Sequence, residues 1–170
     1  MNFYFPPIKL AKDKDYETIV EIFKQNKQFF PHIRTDYLKR CIMNSDSDSK
    51  LESKNQCNNS MIFDRGVAIT YSVYKRKNPI GNVMAHPGDC ILHQIVTKNR
   101  DGSAKEILHK FFEYVNTKVF LSVRRDNEIA KKFYIKNGMT KIGEIFWSSG
   151  TIPGDVYLYE DINKTIERFT

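Results

Sequence analysis

Apolar positions along this chain switch between helical and strand spacing, and each switch marks an element. Tyr16, Ile19, Ile22 and Phe23 fall at helical spacing behind the caps Asp13 and Asp15, predicting a helix over 15–27. Pro31 interrupts the pattern, and Tyr37, Leu38, Cys41 and Ile42 predict a shorter helix over 36–43. The stretch 44–60 is rich in Ser, Asp and Asn and has no period. It offers too little apolar surface to offset the entropy of ordering, so a mobile surface loop is expected, with a substrate lid as the alternative.

Strand patterns follow. Segments 61–63 and 67–74 flank Asp64-Arg-Gly66, a hairpin signal, and 80–84 reads as one further strand. Pro87-Gly88 turns the chain into 90–96, an apolar run of the buried-strand kind. Ala104, Ile107, Leu108, Phe111, Phe112 and Val115 form the clearest amphipathic stripe in the chain. A strand over 118–123, a helix over 127–137 and strands over 139–147 and 155–159 complete the pattern. Helices and strands in this order predict one mixed sheet carrying helices, of the α/β or mixed α+β class.

The length of 170 residues fits a single domain over 1–170. No apolar run approaches the roughly 20 residues that span a bilayer, and the first residues lack the character of a signal peptide. A cytoplasmic protein with no membrane partner is expected. Cys41, Cys57 and Cys90 are odd in number and widely spaced, which argues for reduced thiols rather than a disulfide framework or metal site. His32, His86 and His109 have no ligand spacing either, so no metal is expected. The net charge of +7 favours an anionic partner: a phosphorylated cofactor, nucleic acid or an acidic protein. Its positive charges lie in short groups such as Lys75-Arg-Lys77, with no block long enough for a nucleic-acid arm.

Two segments carry candidate chemistry. Asn127 and Tyr134 are seven residues apart, nearly two helical turns, and so share an edge of the stripe formed by Ile129, Ala130 and Phe133. The second segment, 97–105, places Gly102, Ser103 and Ala104 at the start of the long helix, among Lys98, Arg100 and Lys105. Free amides and the positive end of the helix dipole bind phosphate groups at such a turn. The alternative is an ordinary solvated turn in which Asp101 or Ser103 caps the helix.

Together these segments resemble the GCN5-related N-acetyltransferase family. Asn99-Arg-Asp-Gly102-Ser-Ala104 is similar to the family's Arg/Gln-x-x-Gly-x-Gly/Ala turn, with Asn in first position and a shorter loop before it. Asn127, Ala130, Phe133, Tyr134, Gly138 and Met139 match the named positions of a later family motif. Gly143 and the aromatic-ended 145–147 also suit it, and Trp147 to Tyr157 resembles a subgroup associated with bacteriophage genomes. The specific resemblance covers roughly 89–160.

The resemblance implies a central, mostly antiparallel mixed sheet whose fourth and fifth strands splay apart, with flanking helices. It implies acetyl-CoA as cofactor, its pantetheine arm along the backbone of Gln94, Ile95 and Val96. The pyrophosphate would lie on the amides from Arg100 to Lys105, including Gly102, Ser103 and Ala104, with Lys98 alongside. Asn127 would reach the pantetheine or the cofactor's bound water, and Tyr134 would contact the sulfur and protonate the leaving thiolate. The general base stays open: His93 has a suitable ordinary pKa but is read first as a core histidine and second as the base, and Asp89, Glu144, Tyr71 and Tyr74 are further candidates. The expected reaction is direct acetyl transfer to an amine of a small molecule or macromolecule. A nucleic-acid-modifying enzyme and a non-catalytic binding module on the same fold are the alternatives. Family members dimerise through sheet edges or C-terminal strands, which admits a homodimer.

Overall fold

The computed structural model describes residues 7–46 and 59–163. They form α1 (Tyr16–Gln25), α2 (Thr35–Ser45), β1 (Ser60–Asp64), β2 (Val67–Val73), β3 (Asn78–Ile80), β4 (Val83–Ala85), β5 (Cys90–Thr97), α3 (Ser103–Val115), β6 (Val119–Arg124), α4 (Glu128–Lys136), β7 (Thr140–Trp147) and β8 (Ile152–Tyr159). A six-stranded sheet has the order β1-β2-β5-β6-β8-β7, and β3 and β4 make a separate two-stranded ribbon. Among the described residues no helix is long and apolar enough to cross a membrane. The loop expected over 44–60 falls largely outside the described residues, as does Cys57, while α2 itself runs on to Ser45.

The chain divides into two compact units, Met1–Tyr71 with Gln94–Tyr114, and Ser72–His93 with Val115–Thr170. In the first, Ile19, Ile22 and Phe23 of α1 and Leu38, Cys41 and Ile42 of α2 bury against Met61, Ala68 and Val96. These are the apolar positions of both helical stripes, so amphipathic period alone accounts for which faces turn inward. The buried Ser45 hydroxyl ends α2: it donates to the Cys41 carbonyl at 3.1 Å and accepts from the Met61 amide. Arg65 and Gly66, both at positive φ (49° and 76°), make the tight turn between β1 and β2, as the hairpin signal requires.

In the second unit, Ile80 and Ala85 of the ribbon pack with Phe120 and Val156, and Ile91, Ile145 and Leu158 close around them. The single strand expected over 80–84 is instead a hairpin. Gly81 at φ +59° reverses the chain, and Asn82 then bonds strand β7 at both ends of its residue. Its amide donates to the Glu144 carbonyl at 3.0 Å, and its side chain accepts from the Glu144 amide at 2.8 Å. A short apolar run has no period of its own to reveal such a break.

Gly81 approaches the Glu144 backbone so closely that a Cβ would overlap it, whereas Gly88 at φ +92° has nothing near its Cβ position. Gly88→Ala is expected to cost about 1 kcal/mol of conformational strain. Gly81→Ala should cost roughly 3 kcal/mol or more, since rigid backbone must also move. Urea unfolding of both variants checks the difference, and equal midpoints would show that the ribbon does not press on β7.

Candidate functional site

The candidate residues divide between the units: 94–105 belong to the first, and His93, Asn127 and Tyr134 to the second. Strand β5 carries the first group into the turn before α3. Its parallel pairing with β6 covers Cys90↔Val119 and Ile91↔Phe120, while β5 runs on to Thr97 and β6 to Arg124. The ladder ends at Ile91↔Phe120, two pairs in.

Val96 is buried in the α1–α2 core, so only its backbone is available to a ligand, and Ile95 is half-buried. The following turn is shaped by its own hydrogen bonds. Thr97 Oγ1 donates to the Asn99 carbonyl at 2.8 Å, and the Lys98 amide donates to the Gly66 carbonyl at 2.9 Å. The Ser103 amide donates to Asp101 Oδ1 at 3.0 Å, and the bonds from Ser103 hold the Asp101 carboxyl below its ordinary range. Asp101 thus satisfies the first helical amide from one residue ahead of the cap position, Gly102. The next amides, Ala104 and Lys105, lie in the first helical turn, where no intrahelical acceptor exists. Gly102 sits at φ +89° with open space where a Cβ would stand. Arg100 and Lys105 are exposed beside it. Lys98 instead lines a cavity of about 330 Å³ with Glu17 and Glu21 of α1.

Ahead of the turn, Gln94 joins a half-buried polar network. Its amide donates to Thr70 Oγ1 at 3.0 Å, its side-chain oxygen accepts from Thr70 Oγ1, and Tyr37 donates to the same oxygen at 3.0 Å. Asn59 donates to Tyr37 at 2.8 Å.

In the second unit, His93 Nε2 lies 3.0 Å from Ser72 Oγ. Burial lowers the imidazole pKa below its ordinary 6.5, so the ring is neutral at neutral pH and carries one lone pair. Ser72 is a site residue that the sequence reading missed. It follows an apolar strand pattern on β2, and no local spacing pairs it with a residue on β5. The competing base candidates are occupied elsewhere. The Asp89 carboxylate accepts from the His86 amide at 2.8 Å, Glu144 pairs with Arg125 at 3.1 Å, and Tyr71 is buried edge-on against Phe111. Burial also raises the Tyr74 hydroxyl above its ordinary value.

Asn127 caps α4, its Oδ1 accepting from the Ala130 amide at 3.2 Å. Gly138 at φ +90° ends the helix, as the Met139 amide bonds the Tyr134 carbonyl at 3.1 Å. The stripe expected from Ile129 is corrected: Ile129 is 76% exposed and Tyr134 is the buried residue of α4. The helix meets the sheet through the phenol, whose ring centroid lies 6.4 Å from that of Tyr157. Burial pushes the Tyr134 hydroxyl up to about 12. Among the described residues that hydroxyl forms no hydrogen bond, and none joins it to His93.

No protein-family model matches the sequence, and comparison with the curated proteins gave no match. Solved structures do match. A GNAT-family acetyltransferase from Bacillus cereus is 18% identical at a TM-score of 0.61, covering 91% of this chain and 96% of its own. Naa50 from Arabidopsis thaliana, solved with the bisubstrate analogue CoA-Ac-MVNAL, is 14% identical at a TM-score of 0.58, covering 92% and 100%. The ribosomal-protein-S18-alanine N-acetyltransferase of Escherichia coli is 12% identical at a TM-score of 0.55, covering 89% and 90%. With its flanking helices and its mostly antiparallel six-stranded sheet, the chain has the fold of the GCN5-related N-acetyltransferases.

Proposed function

We propose that this chain is an acetyl-CoA-dependent N-acetyltransferase that passes the acetyl group directly to an amine. The observation that carries this reading is the β5–β6 ladder, which stops after Ile91↔Phe120 and leaves strand backbone beyond it for a ligand to bond. The bisubstrate analogue held by Naa50 supports the same reading. The turn after β5 also fits the donor's pyrophosphate. Open space at Gly102 lets an anion approach the backbone, and the Ala104 and Lys105 amides with Arg100 offer donors, although Asp101 already occupies Ser103. Bound acetyl-CoA supplies an activated acyl group as a thioester. Ile95 and Val96 backbone would hold the pantetheine arm. Asn127 would meet its end through the amide nitrogen, its oxygen being committed to the cap.

Magnitudes then refine the roles of the two catalytic residues. Complete transfer of a proton from a phenol near 12 to a thiolate with an ordinary thiol pKa of about 8.5 is uphill by about 5 kcal/mol. Tyr134 therefore holds its proton and stabilises the departing sulfur by donating a hydrogen bond. His93, neutral and bonded to Ser72, takes the proton from the acceptor ammonium. A lysine ammonium near 10.4 holds its proton about 3.5 kcal/mol more tightly than an α-ammonium near 7.8, whichever base takes it, and burial makes His93 a weaker base than a free imidazole. An α-amine acceptor is the better match.

Native mass spectrometry or calorimetry should detect acetyl-CoA binding that Gly102→Glu abolishes; failure of the wild-type chain to bind would sink the reading. Tyr134→Phe is expected to lower kcat roughly 100-fold. Full activity in that variant would remove the phenol from the mechanism. At saturating acceptor, kcat should fall as pH drops through a midpoint below about 6.5, because the protonated imidazole accepts no proton. His93→Gln should be slow and lack that limb. Peptides with a free N-terminus should outperform N-blocked peptides bearing one lysine, and the reverse ranking would contradict the α-amine acceptor.

A further inference from the structure

Tyr134 is the buried residue of α4, and Ile129 and Ile135 on the same helix are 76% and 57% exposed. So little apolar contact is a weak hold on a helix whose orientation aims a catalytic group. A charged contact one turn away supplies the rest. Asp155 of β8, with a side chain only 2% exposed, receives three cations from three parts of the unit. Arg125, between β6 and α4, donates from Nε to Oδ1 at 3.1 Å. Lys141 of β7 stands 3.3 Å from the same oxygen, and Lys131 of α4 stands 3.4 Å from Oδ2. Lys131 also donates to the Arg125 carbonyl at 3.0 Å and to Glu128 at 3.3 Å, so its ammonium is held on three sides. Glu144 lies 3.1 Å from Arg125 and 3.6 Å from Lys141, which balances the cluster with three carboxylates.

The spacing along the two elements is matched. Lys131 and Tyr134 are three apart on α4 and share a face, and Asp155 and Tyr157 are two apart on β8 and share a face. Lys131 meets Asp155 where Tyr134 meets Tyr157. We propose that Asp155, acting through Lys131, is the positioning residue for Tyr134: the ion pair sets where α4 lies on β8 and so where the phenol points. Burial pushes the Asp155 carboxyl up, but the bonds from Arg125, Lys141 and Lys131 and the charge of Lys141 outweigh it and keep the group ionised. In an ordinary stabilising cluster either lysine would act on overall stability alone, Lys131 more than Lys141 because it is the more buried (17% against 45% exposed). A tether makes them unequal in α4 exchange and in kcat, because only Lys131 belongs to the helix that carries Tyr134.

The proposal rests on the catalytic reading of Tyr134, so its test has an arm that needs no activity. Lys131→Met, Lys131→Arg and Lys141→Met are compared in the full chain. In Lys131→Met the α4 amides should exchange hydrogen roughly tenfold faster than in the wild type, with Lys131→Arg and Lys141→Met within about twofold of it. In acetyl transfer, Lys131→Met should lose roughly 10- to 100-fold in kcat with KM for acetyl-CoA unchanged, and Lys131→Arg should recover it. Equal losses in Lys131→Met and Lys141→Met overturn the proposal, as does unchanged α4 exchange in Lys131→Met. Faster α4 exchange confined to Lys131→Met, in a wild-type chain that transfers no acetyl group, supports the tether and sinks the acetyltransferase reading instead.

Discussion

Strands β5 and β6 pair in parallel, and only at their first residues. A parallel pair cannot be closed by a tight turn, so the chain must cross over, and α3 is that crossover. The crossover places a helix N-terminus directly after the carboxyl end of β5. The carboxyl end of β6 likewise leads through Arg125, Asp126 and Asn127 into α4. Open sheets bind ligands beyond the carboxyl ends of their parallel strands because unpaired amides and helix dipoles collect there. The turn at Gly102 is a consequence of that one pairing. Its early end frees strand backbone that a full ladder would consume.

The second unit meets the demands of a site with polar contacts where apolar packing is thin. α4 rests on β8 through a phenol and an ion pair rather than a broad apolar face. Removing one partner of a buried pair leaves an uncompensated charge, so the Asp155 cluster resists piecemeal change while adding little net stability over an apolar contact. What it adds is direction, since a carboxylate with two oxygens fixes the approach of three cations. His93 shows the same economy: one hydroxyl, Ser72, orients a half-buried ring whose burial keeps it neutral.

Local pattern made most of the framework legible. The stripe from Ala104 to Val115 marked α3, and the alternation of strand and turn marked β5 to β8 within a few residues. Asn127 and Gly138 bounded α4 because a cap side chain and a left-handed glycine act within one turn of themselves. The reading went wrong where two distant segments had to meet. The run 80–84 became a hairpin because its turn docks on Glu144, far along the chain. Ile129 counts as apolar in any stripe, yet α4 turns it to solvent so that Lys131 and Tyr134 can face β8.

The candidate residues proposed for the donor are thus written in short-range chemistry. A turn with Gly102, a cap at Asn127 and a phenol seven residues later are set by backbone conformation and helical period, which need no partner beyond their neighbours. The pairings of His93 with Ser72 and of Lys131 with Asp155 are of another kind. They depend on strand order and register, which bring side chains together across 21 residues in the first case. Burial then makes one histidine neutral, and three cations keep one buried carboxylate ionised against its burial; both exist only once the chain has folded.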